Sequence, residues 1–139
     1  MFKYKSVCHW EEAIMSVIHK YTGKPGDYTW EGVEVQKYGK EFEGVTKQVV
    51  IGPDDKAPHF VIRYFHLEHG THSNLEQHPH DHGVVVMHGR ARLQINADFY
   101  EVGPLDAIFI SGGDLHQFTA LGDEPLGFIC VIKNLEDKK

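Results

Sequence analysis

Two periods divide the hydrophobic positions of this chain. Across residues 10–21, Trp10, Ile14, Val17, Ile18 and Tyr21 recur at i, i+3, i+4 and i+7 spacing, which predicts one apolar face of a helix. Glu11 and Glu12 open that segment and Lys20 closes it, as the helix dipole favours. Gly23-Lys24-Pro25-Gly26-Asp27 then supplies the turn chemistry to end it. From residue 28 the period falls to two. Short apolar alternations predict strands over 33–38, 45–51, 60–67, 83–88, 91–95, 99–102, 107–110, 117–120 and 126–132. Between them fall breakers: Gly39, Gly52-Pro53-Asp54-Asp55, Asn96, Gly103-Pro104, Gly112-Gly113-Asp114 and Gly122-Asp123-Glu124-Pro125. Many short strands with frequent turns predict an all-β antiparallel sandwich or barrel, with the helix packed outside it. The expected organisation is a helical extension over 1–27, a barrel over 28–135 and a charged tail over 136–139.

Composition narrows the function classes. A chain of 139 residues suits one core, and 41% hydrophobic with 24% charged residues is ordinary for a globular domain. A net charge of −6 and a pI near 6.0 argue against nucleic acid or an anionic membrane as partner. The first ten residues hold no signal-like apolar run and no stretch reaches membrane-spanning length, so the expected location is cytoplasmic. Cys8 and Cys130 form no CxxC pair; a disulfide between them is possible but nothing requires it.

Histidine changes the picture. Eight of the eleven histidines lie between His59 and His88. The densest run is Glu76-Gln77-His78-Pro79-His80-Asp81-His82-Gly83, leading into Val84-Val85-Val86-Met87-His88-Gly89. Residues 78, 80 and 82 share one parity, so an extended backbone would point them the same way. Converging neutral imidazoles are metal ligands by default chemistry, since each offers a lone pair to a borderline cation. His66, His69 and His72 read as exposed strand-end or loop residues, and His88 as structural.

The spacing resembles that of the cupin superfamily. Its first motif runs glycine, five residues, His-x-His, three or four residues, glutamate, six residues, glycine. Gly70, Glu76-Gln77-His78, His82 and Gly89 keep that spacing, with Glu76 in place of the first histidine and His82 in place of the glutamate. Ser111-Gly112-Gly113-Asp114-Leu115-His116 matches the second motif, with serine where proline is usual. Leu105 stands where that motif usually has glycine, and Ala120 where it has asparagine. The resemblance implies a double-stranded β-helix (jelly-roll) barrel. It also implies a metal set of Glu76, His78, His82 and His116, while His80 drops into the turn at the barrel mouth. Such a set suits Fe, Mn, Ni, Co or Zn, with a position left open for water or substrate. Glu76 has a second possible role, as the group that moves a proton.

Arg63 and Tyr64 interrupt the apolar strand Phe60-Val61-Ile62-Arg63-Tyr64-Phe65, and alternation puts one of them inside. An inward arginine would need an anionic partner such as a substrate carboxylate, whereas an outward one needs none. Arg63, Tyr64, His80 and Phe118 are therefore the candidate substrate contacts. The expected function is metal-dependent chemistry on a small polar or anionic molecule, and the resemblance leans to a dioxygenase. Isomerase or lyase chemistry is the alternative, as is a non-catalytic module sensing a sugar or carboxylate. Strand edges of such barrels are commonly buried by pairing, so a homodimer is expected.

Overall fold

Alternation along 60–67 and 126–132 sets the frame, because both segments place every second residue against one interior. They form β5 (Phe60–Leu67) and β11 (Leu126–Lys133), paired antiparallel with Phe65 opposite Phe128 and Arg63 opposite Cys130. The computed structural model describes residues 2–5, 15–38 and 43–136. The remaining strands are β1 (Phe2–Lys5), β2 (Met15–Ile18), β3 (Gln36–Lys37), β4 (Val45–Ile51) and β6 (His82–His88). They continue with β7 (Arg90–Ile95), β8 (Asp98–Val102), β9 (Ala107–Ile110) and β10 (His116–Leu121).

A six-stranded sheet in the order β3-β4-β5-β11-β6-β9 faces a three-stranded sheet ordered β10-β7-β8, and every pairing is antiparallel. The core lies between the two sheets. Val45, Leu67, Val84, Val86 and Leu126 come from one sheet, Ala91, Leu93 and Ala120 from the other, all nearly or fully excluded from solvent. Phe128 joins the layers: its ring stacks on Phe65 at 5.2 Å and on Phe118 of the opposite sheet at 4.4 Å. The fold is the expected all-β jelly roll.

The expected N-terminal helix is not seen among the described residues. Of residues 10–21, positions 10–14 lie outside the described residues, and Met15–Ile18 form β2, paired with β1 in the register Val17 opposite Lys3. A twelve-residue helix is marginal in isolation because its nucleus is costly. The β-branched Val17 and Ile18 fit an extended backbone, and β1 offers the hydrogen bonds. Among the described residues the one helical turn is a 3-10 turn at Pro53–Asp55. The 33–38 strand is also shorter than expected, reduced to Gln36–Lys37. The charged tail beyond residue 136 lies outside the described residues.

The loop between β2 and β3 covers the outer face of the large sheet with aromatic rings. Tyr28 and Trp30 pack on Tyr64 at 5.6 and 5.4 Å, and Tyr28 meets His88 edge-on at 4.6 Å. His19 ties this loop down, its two ring nitrogens lying 2.8 Å from the Glu31 carbonyl and 2.7 Å from the Asp55 carboxylate. His88 reaches that outer face because the β6–β11 register shifts between Gly127 and Phe128. The shift skips Met87 and turns His88 over to the Tyr64 side. Leu105, which stands where the second motif usually has glycine, has φ 69° and so carries backbone strain.

Candidate metal centre

Backbone pairing assembles the site from three separate segments. Residues 71–76 run beside β10, with Ser73 N–H donating to the Phe118 carbonyl at 2.8 Å and Ala120 N–H to that of Thr71 at 2.9 Å. Glu76 and His116 exchange both backbone bonds, at 3.0 and 2.9 Å. The turn before β10 grips the histidine loop: Gly113 N–H donates to the His78 carbonyl at 2.8 Å, and Gly112 N–H to Asp81 Oδ1 at 2.6 Å. A Cβ at Gly112 would run into the Pro79 carbonyl, so this close approach admits only glycine. His82 then opens β6, opposite Ile110 of β9.

His78, His82 and His116 each present one ring nitrogen such that all three lie within 4.8 Å of one another. The rings of His78 and His82 are 4.6 Å apart, those of His82 and His116 4.8 Å. His82 and His116 are buried. His116 Nδ1 lies 2.9 Å from the Asp114 carbonyl, so the proton sits on that nitrogen and Nε2 is left as a lone-pair donor. Burial pushes the His82 pKa down to about 3, helped by the neighbouring His116, His78, Arg63 and His80. A ring held neutral is a ring with a lone pair to give. His78 Nδ1 is buried without a partner. Three convergent, largely desolvated imidazoles therefore fit a divalent transition metal, and they leave its other positions to water or substrate.

Glu76 lies next to the three histidines. Oε1 accepts the Tyr38 hydroxyl at 2.5 Å and Asn74 Nδ2 at 3.4 Å, while Oε2 is 3.3 Å from His78 Nε2. Burial raises its pKa, but hydrogen bonds from Tyr38, Asn74 and His78 outweigh that and hold it below the ordinary carboxylate range. Burial and the same Glu76 contact push the Tyr38 hydroxyl up to about 12. Tyr38 and Asn74 carry no motif, and nothing in the sequence pointed to either.

A small cavity open to solvent lies over the histidines, and Tyr38, Arg63, Glu76, His82, His116 and Phe118 line it. Of the pair Arg63 and Tyr64, Arg63 faces inward. Its guanidinium lies over the Phe65 ring at 4.9 Å, its Nη2 donates to Cys130 Sγ at 3.1 Å, and its buried Nε has no partner. Tyr64, a candidate substrate contact by sequence, is on the opposite face. Its hydroxyl bonds His88 Nε2 at 2.6 Å beneath the aromatic loop, and strand alternation allows only one of the two residues inside. His80 stacks flat on His78, with centroids 3.9 Å apart, outside the converging group. Phe118 serves both core and cavity. Cys130 is a free, buried thiol; Cys8 lies outside the described residues.

A family model described as the cupin domain matches residues 63–132, the span that carries both histidine segments. The chain is a cupin. It is 37% identical over 115 residues to a Rhodospirillum rubrum protein named 1-methylthio-D-xylulose 5-phosphate methylsulfurylase, covering 80% of this chain and 72% of that one. A solved cupin-2 domain from Rhodospirillum rubrum superposes with a TM-score of 0.71 at 38% identity, covering 81% and 76% of the two chains. The polyketide cyclase RemF from Streptomyces resistomycificus superposes with a TM-score of 0.64 at 25% identity, covering 76% and 84%. No helix among this cupin's described residues is long and apolar enough to cross a membrane.

Proposed function

We propose that this cupin is a metal-dependent enzyme acting on a small anionic organic molecule, with His78, His82 and His116 holding one divalent transition metal. The observation that carries the reading is the convergence of three largely desolvated ring nitrogens beside a cavity. A metal bound there would act as a Lewis acid on a carbonyl or hydroxyl oxygen. Glu76 is the proton carrier: Tyr38 and Asn74 hold its Oε1 and keep the carboxylate ionised and aimed, while Oε2 is left facing the His78 ring. Arg63 meets the anionic group: among the described residues its guanidinium makes no ion pair, and an uncompensated, partly buried cation at a cavity wall calls for an anion. The relative named for a pentulose phosphate favours a phosphorylated substrate and sulfur- or carbonyl-centred chemistry over a dioxygenase reaction.

Elemental analysis of untagged protein tests the core of this reading. The wild type should hold about one metal per chain, lost in His78→Ala and in His116→Ala. Full retention of metal in both variants rules the site out. Oxygen uptake by the metal-loaded protein with candidate sugar phosphates then separates the reaction classes. Uptake in step with turnover would restore the dioxygenase reading.

A further inference from the structure

Cys130 lies at the junction of the metal centre and Arg63. Its Sγ lies 3.1 Å from His82 Nδ1 and 3.1 Å from Arg63 Nη2, while Nη2 and Nδ1 are 3.4 Å apart. Backbone register fixes this triangle: Cys130 of β11 is opposite Arg63 of β5 on one side and opposite Val84 of β6 on the other. Val84 is two residues on from His82, hence on the same face. Cys130 is 3% exposed and is not part of the cavity wall, to which His82 and Arg63 contribute. A buried thiol outside the cavity is badly placed to attack a substrate, and burial pushes its pKa up despite the nearby Arg63.

A neutral imidazole carries one ring proton. If His82 gives its Nε2 lone pair to a metal, that proton sits on Nδ1 and must be donated to something. A guanidinium has only donors, so of the two groups at Nδ1 the sulfur alone can accept. His116 shows the same arrangement with a different acceptor, the Asp114 carbonyl. Resting on the metal reading above, we infer that Cys130 is a positioning residue of the centre. Its sulfur accepts the His82 Nδ1–H and an Arg63 Nη2–H together. It thereby presents His82 Nε2 to the metal and holds the Arg63 guanidinium beside it. A cysteine that only filled space would be replaceable by valine without consequence for the metal.

Mn(II) titration of metal-stripped protein compares wild type, Cys130→Val and Cys130→Ser, each checked for folding by thermal melt. The valine variant should lose about 10–100-fold in Mn(II) affinity, the range seen when a ligand's supporting partner is removed. Serine, whose hydroxyl can accept, should recover most of that loss. A folded valine variant that binds as tightly as wild type overturns the positioning role alone, since the histidine variants would still lose the metal. A wild type that takes up none of Mn(II), Fe(II), Co(II), Ni(II) or Zn(II) overturns both readings. Infrared spectroscopy needs no change at Cys130: on a Cys8→Ser background, the remaining S–H stretching band should shift when Mn(II) is loaded to one equivalent. A band that does not move with metal bound overturns the inference.

Discussion

The Nε2 atoms of His78 and His82 lie 3.1 Å apart. Two nitrogens at right angles about one ion, each ~2.1 Å from it, sit ~3.0 Å apart, so this is the spacing of adjacent ligands. Without a metal, two neutral rings tolerate that contact only with a single proton between them. Anything that binds the folded state and not the unfolded one stabilises it, by about 2.7 kcal/mol at a hundredfold excess over Kd. Saturating divalent metal should therefore raise the melting temperature of the stripped protein by several degrees. His78→Ala should abolish that rise, as calorimetry can check.

Acid should destabilise the metal-free protein. Burial holds folded His82 at about 3, whereas an unfolded histidine titrates near ~6.5. Between those values the unfolded chain binds a proton that the folded one refuses. The His82 contribution is thus complete above about pH 6.5 and is lost as pH falls towards 3. His80 and His88, lowered chiefly by burial, act with the same sign, as does the lowered Glu76 at more acid pH. Urea midpoints should fall steadily from about pH 7.5 to about pH 4.5, with a shallower slope, by roughly one proton, in His82→Gln. A pH-independent midpoint contradicts the burial argument.

Tyr38→Phe isolates the hydrogen bond to Glu76, 2.5 Å in length. A bond to a charged acceptor contributes ~1.5–3 kcal/mol when buried, but the Glu76 side chain is 33% exposed, so a loss of about 1 kcal/mol is expected. The Glu76 pKa should rise, read from its carboxyl carbon by NMR titration, while the metal content stays at wild-type level. Loss of the metal would mean that Glu76 is itself a ligand.

Arg63→Met tests the anion contact. Inorganic phosphate should stabilise the metal-loaded wild type in a thermal melt and leave Arg63→Met unmoved. Equal stabilisation of both proteins would place the anion elsewhere.

Leu105→Gly should stabilise the protein. A side chain in the left-handed region costs ~1–2 kcal/mol, and the extra freedom of glycine in the unfolded chain returns ~0.5–1 of that. Leu105 has φ 69° and is 75% exposed, so little packing is lost. A gain of about 0.5–1 kcal/mol in chemical denaturation is expected. A loss would mean that the exposed leucine is held by contacts beyond this chain.

Local pattern was sufficient for much of this molecule. The strands over 45–51, 60–67 and 107–110 have the expected bounds, because alternation of period two is written into adjacent residues and one face is buried. Motif spacing likewise nominated His78, His82 and His116 and set His80 aside, since a short turn fixes which residues reach the same point. The apolar spacing of 10–21 misled, because period alone says nothing of whether a partner strand is at hand; β1 was, and β2 paired with it.

The histidine stretch pointed to imidazoles that could hold a metal and, together with the 111–116 motif, to the family of the fold. Tertiary structure alone decided what surrounds it. Arg63 turns inward and Tyr64 outward by the parity of β5, Tyr38 arrives from a segment with no motif, and Cys130 reaches His82 from 48 residues away. Glu76 has one oxygen held by Tyr38 and Asn74 and the other facing the His78 ring. Such contacts depend on the registers between strands distant in sequence, and those registers are set by the packing of the whole core.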